Sequence, residues 1–295
     1  MQKEMLMFFT SISNPILDSI ANLASFFGEE AIIIIILGWI LYGIDKKKGF
    51  AICGSILSAT IAMGIIKAIV RAPRPFQVLT EIKGKRLSTA TGYSFPSGHA
   101  SVSSSMYSSI AIAFKKKTLS IICATTIVLV AISRMYLGVH WPIDVFGGII
   151  IGITSSFILY SVFYKISGDK TLKQKVSLRI GSIFFVVSFI LCILLSNNLI
   201  DTVAFSDLLK TIALAGGAYF GFFFESKYIN YSVDGKTITK IARLIILVIC
   251  SLLIIVGIKA LFGVSYYYIG AFVRYNTVGI FLTYLFPLIF KKLFN

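Results

Sequence analysis

IVLVAISRMYLGVHWPIDVFGGIIIGI, residues 127–153, holds two apolar runs parted by a short polar break. Ser133, Arg134, His140 and Asp144 lie in or beside that break, and Pro142 stands where the second run begins. Proline is tolerated in the first turn of a helix and disrupts its interior. The second run therefore reads as a helix that starts near Pro142. One apolar helix ends, another begins, and the polar residues collect at the bend between them.

The same alternation runs through the chain. It has 295 residues, is 57% hydrophobic and has a mean hydropathy of +0.89. Apolar runs fall at about 31–44, 50–70, 99–114, 119–133, 143–164, 180–196, 205–224, 241–262 and 270–290. Lipid-exposed backbone must satisfy its own hydrogen bonds, which favours helices. The expected fold is an all-α, polytopic membrane helical bundle of about nine transmembrane helices. A soluble helical protein of this composition would expose too much apolar surface. Residues 14–27 place Ile16, Leu17, Ile20, Leu23, Ala24 and Phe27 at helical spacing but also carry Asp18 and Asn22, which predicts an interfacial helix. The expected organisation is an N-terminal interfacial helix over 1–28, a core over 29–165 and a transmembrane extension over 166–295. Cys53, Cys123, Cys192 and Cys250 all fall in apolar runs and read as small hydrophobes, not as a disulfide or metal set. The first ten residues lack the pattern of a cleavable signal.

The net charge of +16 sits in short connections between apolar runs, not on one continuous face. That distribution argues against nucleic acid and for topology. Lys46–Lys47–Lys48, Lys115–Lys116–Lys117, the connections at 165–179 and 225–243, and Lys291–Lys292 are every second member of the series. The positive-inside rule puts them in the cytoplasm, with the N-terminus outside and the C-terminus inside. Lys83, Lys85 and Arg86 break the rule from an outside loop. They are expected either to attract anionic headgroups or to form a plain solvated loop.

Three motifs then share the outside face. The second run ends in KAIVRAPRPF, residues 67–76, the third begins with PSGHAS, residues 96–101, and SRMYLGVHWPID, residues 133–144, joins the fourth to the fifth. Taken singly, each has a plain explanation: snorkelling cations, a proline stop, a helix cap, a polar pair at a helix start. Together they bring both histidines of the chain to one face with three cations. Lys67, Arg74 and Arg134 suit phosphate oxygens. Ser97 and Gly98 open a helix N-terminus, which offers free N–H groups to an anion. Asp144 lies one helical turn after His140 and can fix its tautomer, as a nucleophile needs. His99 has no carboxylate nearby in sequence and suits a general acid. No carboxylate or Cys/His cluster suggests a metal or another cofactor.

These residues resemble the type 2 phosphatidic acid phosphatase family. Its signature of Lys-x6-Arg-Pro, Pro-Ser-Gly-His and Ser-Arg-x5-His-x3-Asp reads here as Lys67 to Arg74-Pro75, Pro96-Ser97-Gly98-His99, and Ser133-Arg134 to His140 to Asp144. The resemblance covers about residues 30–165. It implies a metal-independent phosphatase with a phosphohistidine on His140, assistance from Asp144, and His99 as the acid. Lys67, Arg74, Ser97, Gly98 and Arg134 would hold the phosphoryl group. Arg71 lies outside the signature and takes a secondary role. The implied substrate is a lipid phosphate or diphosphate in the cell membrane, met on its extracytoplasmic face. Hydrolysis of a soluble sugar phosphate, or phosphate transfer between lipids, is the alternative on the same residues. An anion transporter is the alternative outside enzymes, but it would place these groups near the midplane. The pairs Gly148/Gly152 and Gly217/Gly221 have the spacing of close helix packing.

Overall fold

A computed structural model of the chain describes residues 1–263 and 266–294, with side chains up to Lys291. Residues 264 and 265 of the last connection, and the side chain of Lys292, lie outside the described residues. The described chain is all-helical and contains no strand. Its main helices are α1 (Gln2–Ser11), α2 (Pro15–Phe26), α3 (Glu30–Trp39), α4 (Lys46–Val70), the single turn α5 (Pro75–Val78), α6 (Gly98–Phe114), α7 (Lys117–Tyr136), α8 (Pro142–Gly168), α9 (Lys170–Ser196), α10 (Thr202–Phe224), α11 (Thr237–Phe262), α12 (Tyr267–Ile280) and α13 (Phe286–Phe294).

Seven of the described helical segments are long and apolar enough to cross a membrane. An eighth arises if α2 and the segment Glu30–Ile44, bent by 48° at their break, count as one broken span. The expected run at 99–114 corresponds to α6, whose 17 residues make about 25 Å of helix and include six serines. The four cysteines are free, three of them buried.

The chain divides into two compact units. One consists of Met1–Ile33 and Ile52–Ser161, the other of Ile34–Ala51 and Val162–Asn295. In the first unit α6 and α8 touch backbone to backbone. A Cβ on Gly148 would lie 2.6 Å from the Ser97 carbonyl oxygen, and one on Gly152 would overlap the Ser101 carbonyl. Only glycine allows that approach. Serine hydroxyls fill what remains. Ser156 Oγ donates to the Ser105 carbonyl at 2.7 Å and pairs with Ser109 Oγ at 3.0 Å.

In the second unit α10 meets α12 through the same device. A Cβ on Gly217 or Gly221 would overlap Asn276 or Thr283. An aromatic cluster of Tyr42, Tyr231, Phe286 and Phe290 packs with ring centroids 5.0–5.7 Å apart. The buried carboxylate of Glu225 lies 3.1 Å from Lys173 Nζ and 3.6 Å from Lys46 Nζ. Three short π-helical segments, Ile40–Ile44, Glu225–Ile229 and Phe281–Leu285, interrupt its helices.

Candidate active site

The first unit gathers four helix ends: the C-termini of α4 and α7 and the N-termini of α6 and α8. Each end has a local cause. Helix α4 stops because Arg71 turns left-handed, at φ 52°, and Pro73 and Pro75 follow. Arg74, held between two prolines, is extended, with φ −81° and ψ 154°. Helix α7 stops in a Schellman turn. Gly138 is left-handed at φ 68°, its N–H donates to the Met135 carbonyl, and the Val139 N–H donates to the Arg134 carbonyl. That turn brings the chain directly to His140. Helix α8 then opens on Pro142, with the Trp141 N–H donating to Asp144 Oδ2 at 2.8 Å. The acid at the third helical position thus caps its own helix.

Arg74 is buried and spread over backbone carbonyls. Its Nη2 donates to Thr91 at 2.5 Å, Nε to Gly92 at 3.0 Å and Nη1 to Val139 at 2.9 Å. The same Nη1 lies 3.2 Å from His140 Nε2. A guanidinium has donors only, so Nε2 must present its lone pair. The ring proton is then on Nδ1, which faces Asp144 Oδ2 at 3.4 Å. Oδ2 is fixed further by Ser94 Oγ, which donates at 2.5 Å. His140 is fully enclosed, and burial, then the charges of Arg74, Lys67, Arg134 and His99, hold its pKa well below the usual histidine range. Burial and these charges favour the neutral ring, with Nε2 unprotonated.

Lys67 donates to the Tyr93 carbonyl at 2.7 Å. Ser97 N–H donates to the Asp144 carbonyl at 2.8 Å, which ties the start of α6 to the start of α8. The Ser97 hydroxyl does not cap its helix: it is buried and makes no hydrogen bond. Gly98 opens α6, and an added Cβ would meet only Met63 at 3.6 Å, so the protein leaves that backbone open. Arg134 is 0% exposed. Its Nη1 donates to Ser25 Oγ at 2.6 Å, while Nε and Nη2 have no partner. His99 Nε2 is likewise buried without a hydrogen bond.

All eight residues singled out from sequence therefore lie at these four helix ends. Arg71 bonds back to the Ala68 carbonyl on its own helix. The loop cations are not simply solvated. Lys85 pairs with Asp18 at 2.5 Å, and Arg86 pairs with Glu29 at 2.5 Å. Sequence reading missed Ser25, Glu29 and Ser94, which reach the site through the fold and carry no motif of their own. Among the described residues, no three His, Cys, Asp or Glu side chains come together as a metal-binding set.

Comparison with known proteins follows the same division of the chain. The chain is 32% identical to undecaprenyl-diphosphatase of Sulfolobus acidocaldarius over 116 residues, 38% of this chain and 54% of that protein. It is 37% identical to phosphatidylglycerophosphatase B of Bacillus subtilis over 94 residues, 29% of this chain and 45% of that protein. The matches thus span about half the length of these curated relatives. The crystal structure of Aquifex aeolicus LpxE superposes with a TM-score of 0.50 at 23% identity, covering 54% of this chain and 94% of that one; the likeness is one of fold. Residues 48–167 match the PAP2 superfamily, and residues 209–295 match the transmembrane extension of PAP2 superfamily phosphatases. The histidine-bearing helix ends fall inside the first match and α11 to α13 inside the second, so the chain is a PAP2 superfamily protein that carries the superfamily's transmembrane extension.

Proposed function

We propose that the chain is a membrane phosphatase that hydrolyses lipid phosphate or lipid diphosphate esters through a phosphohistidine on His140, without a metal ion. The observation that carries this reading is Arg134. A fully buried guanidinium with two unpartnered nitrogens is costly unless an acceptor completes it. The Ser97 hydroxyl and His99 Nε2 are unsatisfied on the same helix ends. Phosphate oxygens match these donors in number and charge.

In this mechanism Nε2 of His140 attacks phosphorus and the bond to the leaving oxygen breaks. His99 gives that oxygen its proton. Water then attacks the phosphohistidine, gives a proton back to His99 and releases phosphate. Asp144 holds the Nδ1 proton in place and supports the charge that forms on the ring. Lys67, Arg74, Arg134, Ser97 and the Gly98 N–H hold the phosphoryl oxygens, where charge grows in the transition state. The relatives' names support phosphatidylglycerophosphate or undecaprenyl diphosphate as substrates, and phosphatidic acid has the same chemistry. A diphosphate would make the reaction an acid anhydride hydrolysis.

The topology belongs to this proposal. Nine spans result if α6 and the segment Glu30–Ile44 both cross, with the N-terminus outside, the C-terminus cytoplasmic and the site on the extracytoplasmic face of the cell membrane. The alternation of basic connections supports it. Residues 29–165 would then be the catalytic core, 1–28 an interfacial segment and 166–295 the extension.

The test is phosphate release by the purified full-length protein from a panel of lipid phosphates, lipid diphosphates and sugar phosphates, with and without EDTA. Release from lipids that survives EDTA and vanishes in His140→Ala is expected. Release only from sugar phosphates would overturn the substrate class. No release from any, with anion flux into proteoliposomes, would make it a transporter.

A further inference from the structure

His99 is the second residue of α6, and the group that faces its Nε2 comes from far away in sequence. Glu29 Oε1 lies 3.9 Å from that nitrogen, with both side chains mostly buried, 18% and 14% exposed. Glu29 stands in the short break between α2 and α3, ahead of the family match that begins at residue 48. The break is pinned to the site at several points. Ser25 Oγ accepts from Arg134 Nη1 at 2.6 Å. The Phe27 carbonyl accepts from Tyr107 Oη of α6 at 3.0 Å. Gly28 lies so close that a Cβ there would come within 3.2 Å of His99 Cβ. Arg86 Nη2 holds the same oxygen, Oε1, at 2.5 Å, while its Nη1 donates to the Asn22 carbonyl at 2.8 Å.

The carboxylate therefore cannot wander, and its surroundings give it a task. The other charged groups around His99 are Arg134 from α7, Arg86 from the loop before α6 and His140 from the turn before α8. Burial first, and then the two guanidiniums, disfavour a protonated ring. A general acid must nevertheless hold its proton until the leaving oxygen needs it. Glu29 is the opposing charge.

We propose that Glu29 is a positioning residue for His99: its carboxylate orients the ring and supports the protonated form that donates to the leaving oxygen. This rests on the reading of His99 as the proton donor. The proton passes from His99 to the leaving oxygen as the phosphorus–oxygen bond breaks and returns to His99 from water in the second step. Glu29 stays ionised throughout and takes no proton.

The test compares E29Q, E29D, R86Q and H99A in the full-length protein, on a lipid phosphate and on nitrophenyl phosphate, across pH. In E29Q the pH above which kcat/KM for the lipid falls should move down by about 1–3 units. Nitrophenyl phosphate, whose leaving group needs little protonation, should be hydrolysed at close to the wild-type rate. E29D should restore part of the shift, and it gives the same readout if E29Q does not fold. R86Q breaks the same ion pair but keeps the carboxylate, so the limb should stay or move up. If E29Q and R86Q slow both substrates equally with the limb in place, Glu29 only braces the break and the proposal is overturned. A limb that moves in H99A but not in E29Q or E29D removes Glu29 alone. H99A with the wild-type rate and pH profile on the lipid removes the role of His99, and that of Glu29 with it.

Discussion

Both units bury positive charge, and they differ in what faces it. In the C-terminal unit Lys173 and Lys46 close on the buried carboxylate of Glu225. Arg243 leaves its Nε without a hydrogen bond, but its plane lies over the Phe290 ring at 4.4 Å. In the unit with both histidines, Arg74 rests on carbonyl oxygens, and Arg134 leaves two nitrogens open. A buried cation with its own carboxylate holds a fold together at most, and often at little net gain. One surrounded by neutral acceptors keeps its charge available to a visiting anion. The difference lies in the partners, since the residue types are the same.

The strongest way to break this comparison is at the proposed nucleophile, His140. His140→Ala should lower hydrolysis by about 10⁴–10⁶-fold and leave no phosphoenzyme when adducts are sought at alkaline pH. Its unfolding temperature should stay close to that of the wild type. A variant that still forms an adduct would mean that the open cations serve some other group.

Next in size is a matched pair of substitutions. Arg134→Gln should slow turnover by about 10²–10³-fold and cost little stability, because the hydrogen bond removed goes to the neutral Ser25 hydroxyl. Glu225→Gln should do the reverse. It strands Lys173, at a cost of about 3–5 kcal/mol, and leaves the rate of the folded fraction unchanged. Thermal unfolding in detergent and phosphate release read the two effects separately. Equal losses in both assays for both variants would erase the distinction between the units.

Smaller effects are expected in the loop before α6. Lys85→Ser breaks a half-exposed pair with Asp18, worth about 0.2–1 kcal/mol, and should leave KM unchanged on every substrate. Lys83 is exposed, so any steering of anionic headgroups falls to it. Lys83→Ser should raise KM in a headgroup-dependent way and leave stability alone. A KM rise confined to Lys85→Ser would reverse these assignments.

The smallest effect is expected from acid. His140 is held well below the usual histidine range by burial and the neighbouring cations. In the proposed mechanism a neutral ring is the attacking form, so protonation would reduce activity only below that depressed pKa. On nitrophenyl phosphate, whose leaving group needs little help from His99, kcat/KM should therefore show no fall between about pH 8 and about pH 6. An acid limb centred near an ordinary imidazole value would mean that the cations do not act on His140.

Much of the site was legible because its motifs are local. The spacing from His140 to Asp144 is one helical turn, and the prolines at 73, 75 and 142 mark helix ends whatever the fold. The glycine pairs 148/152 and 217/221 carried only a weak signal, yet both sit at real close approaches. The span count was harder to read. Six serines dilute the apolar character of α6, and Asp18 and Asn22 that of α2, where the interfacial reading and a broken span share the same residues. The partners of the loop cations were out of reach. Lys85 meets Asp18 across 67 positions, and no periodicity links the two. Glu29 escaped for the same reason: a charged residue at the start of an apolar run reads as an interface residue until the fold lays it against His99.

The contact of α6 with α8 has a consequence for how the site keeps its dimensions. At Gly148 and Gly152 the two backbones abut with no side chain between them, and the Ser97 N–H bonds to the Asp144 carbonyl at the open end. The separation between the turn at Ser97–Gly98 and His140 is therefore set by the girth of two helices, like the jaws of a fixed-gap gauge. Thinner or thicker bilayers can tilt such a pair as one piece without opening the gap. A substituent at position 148 or 152, two or three turns down the shaft at most, would be felt at the jaws.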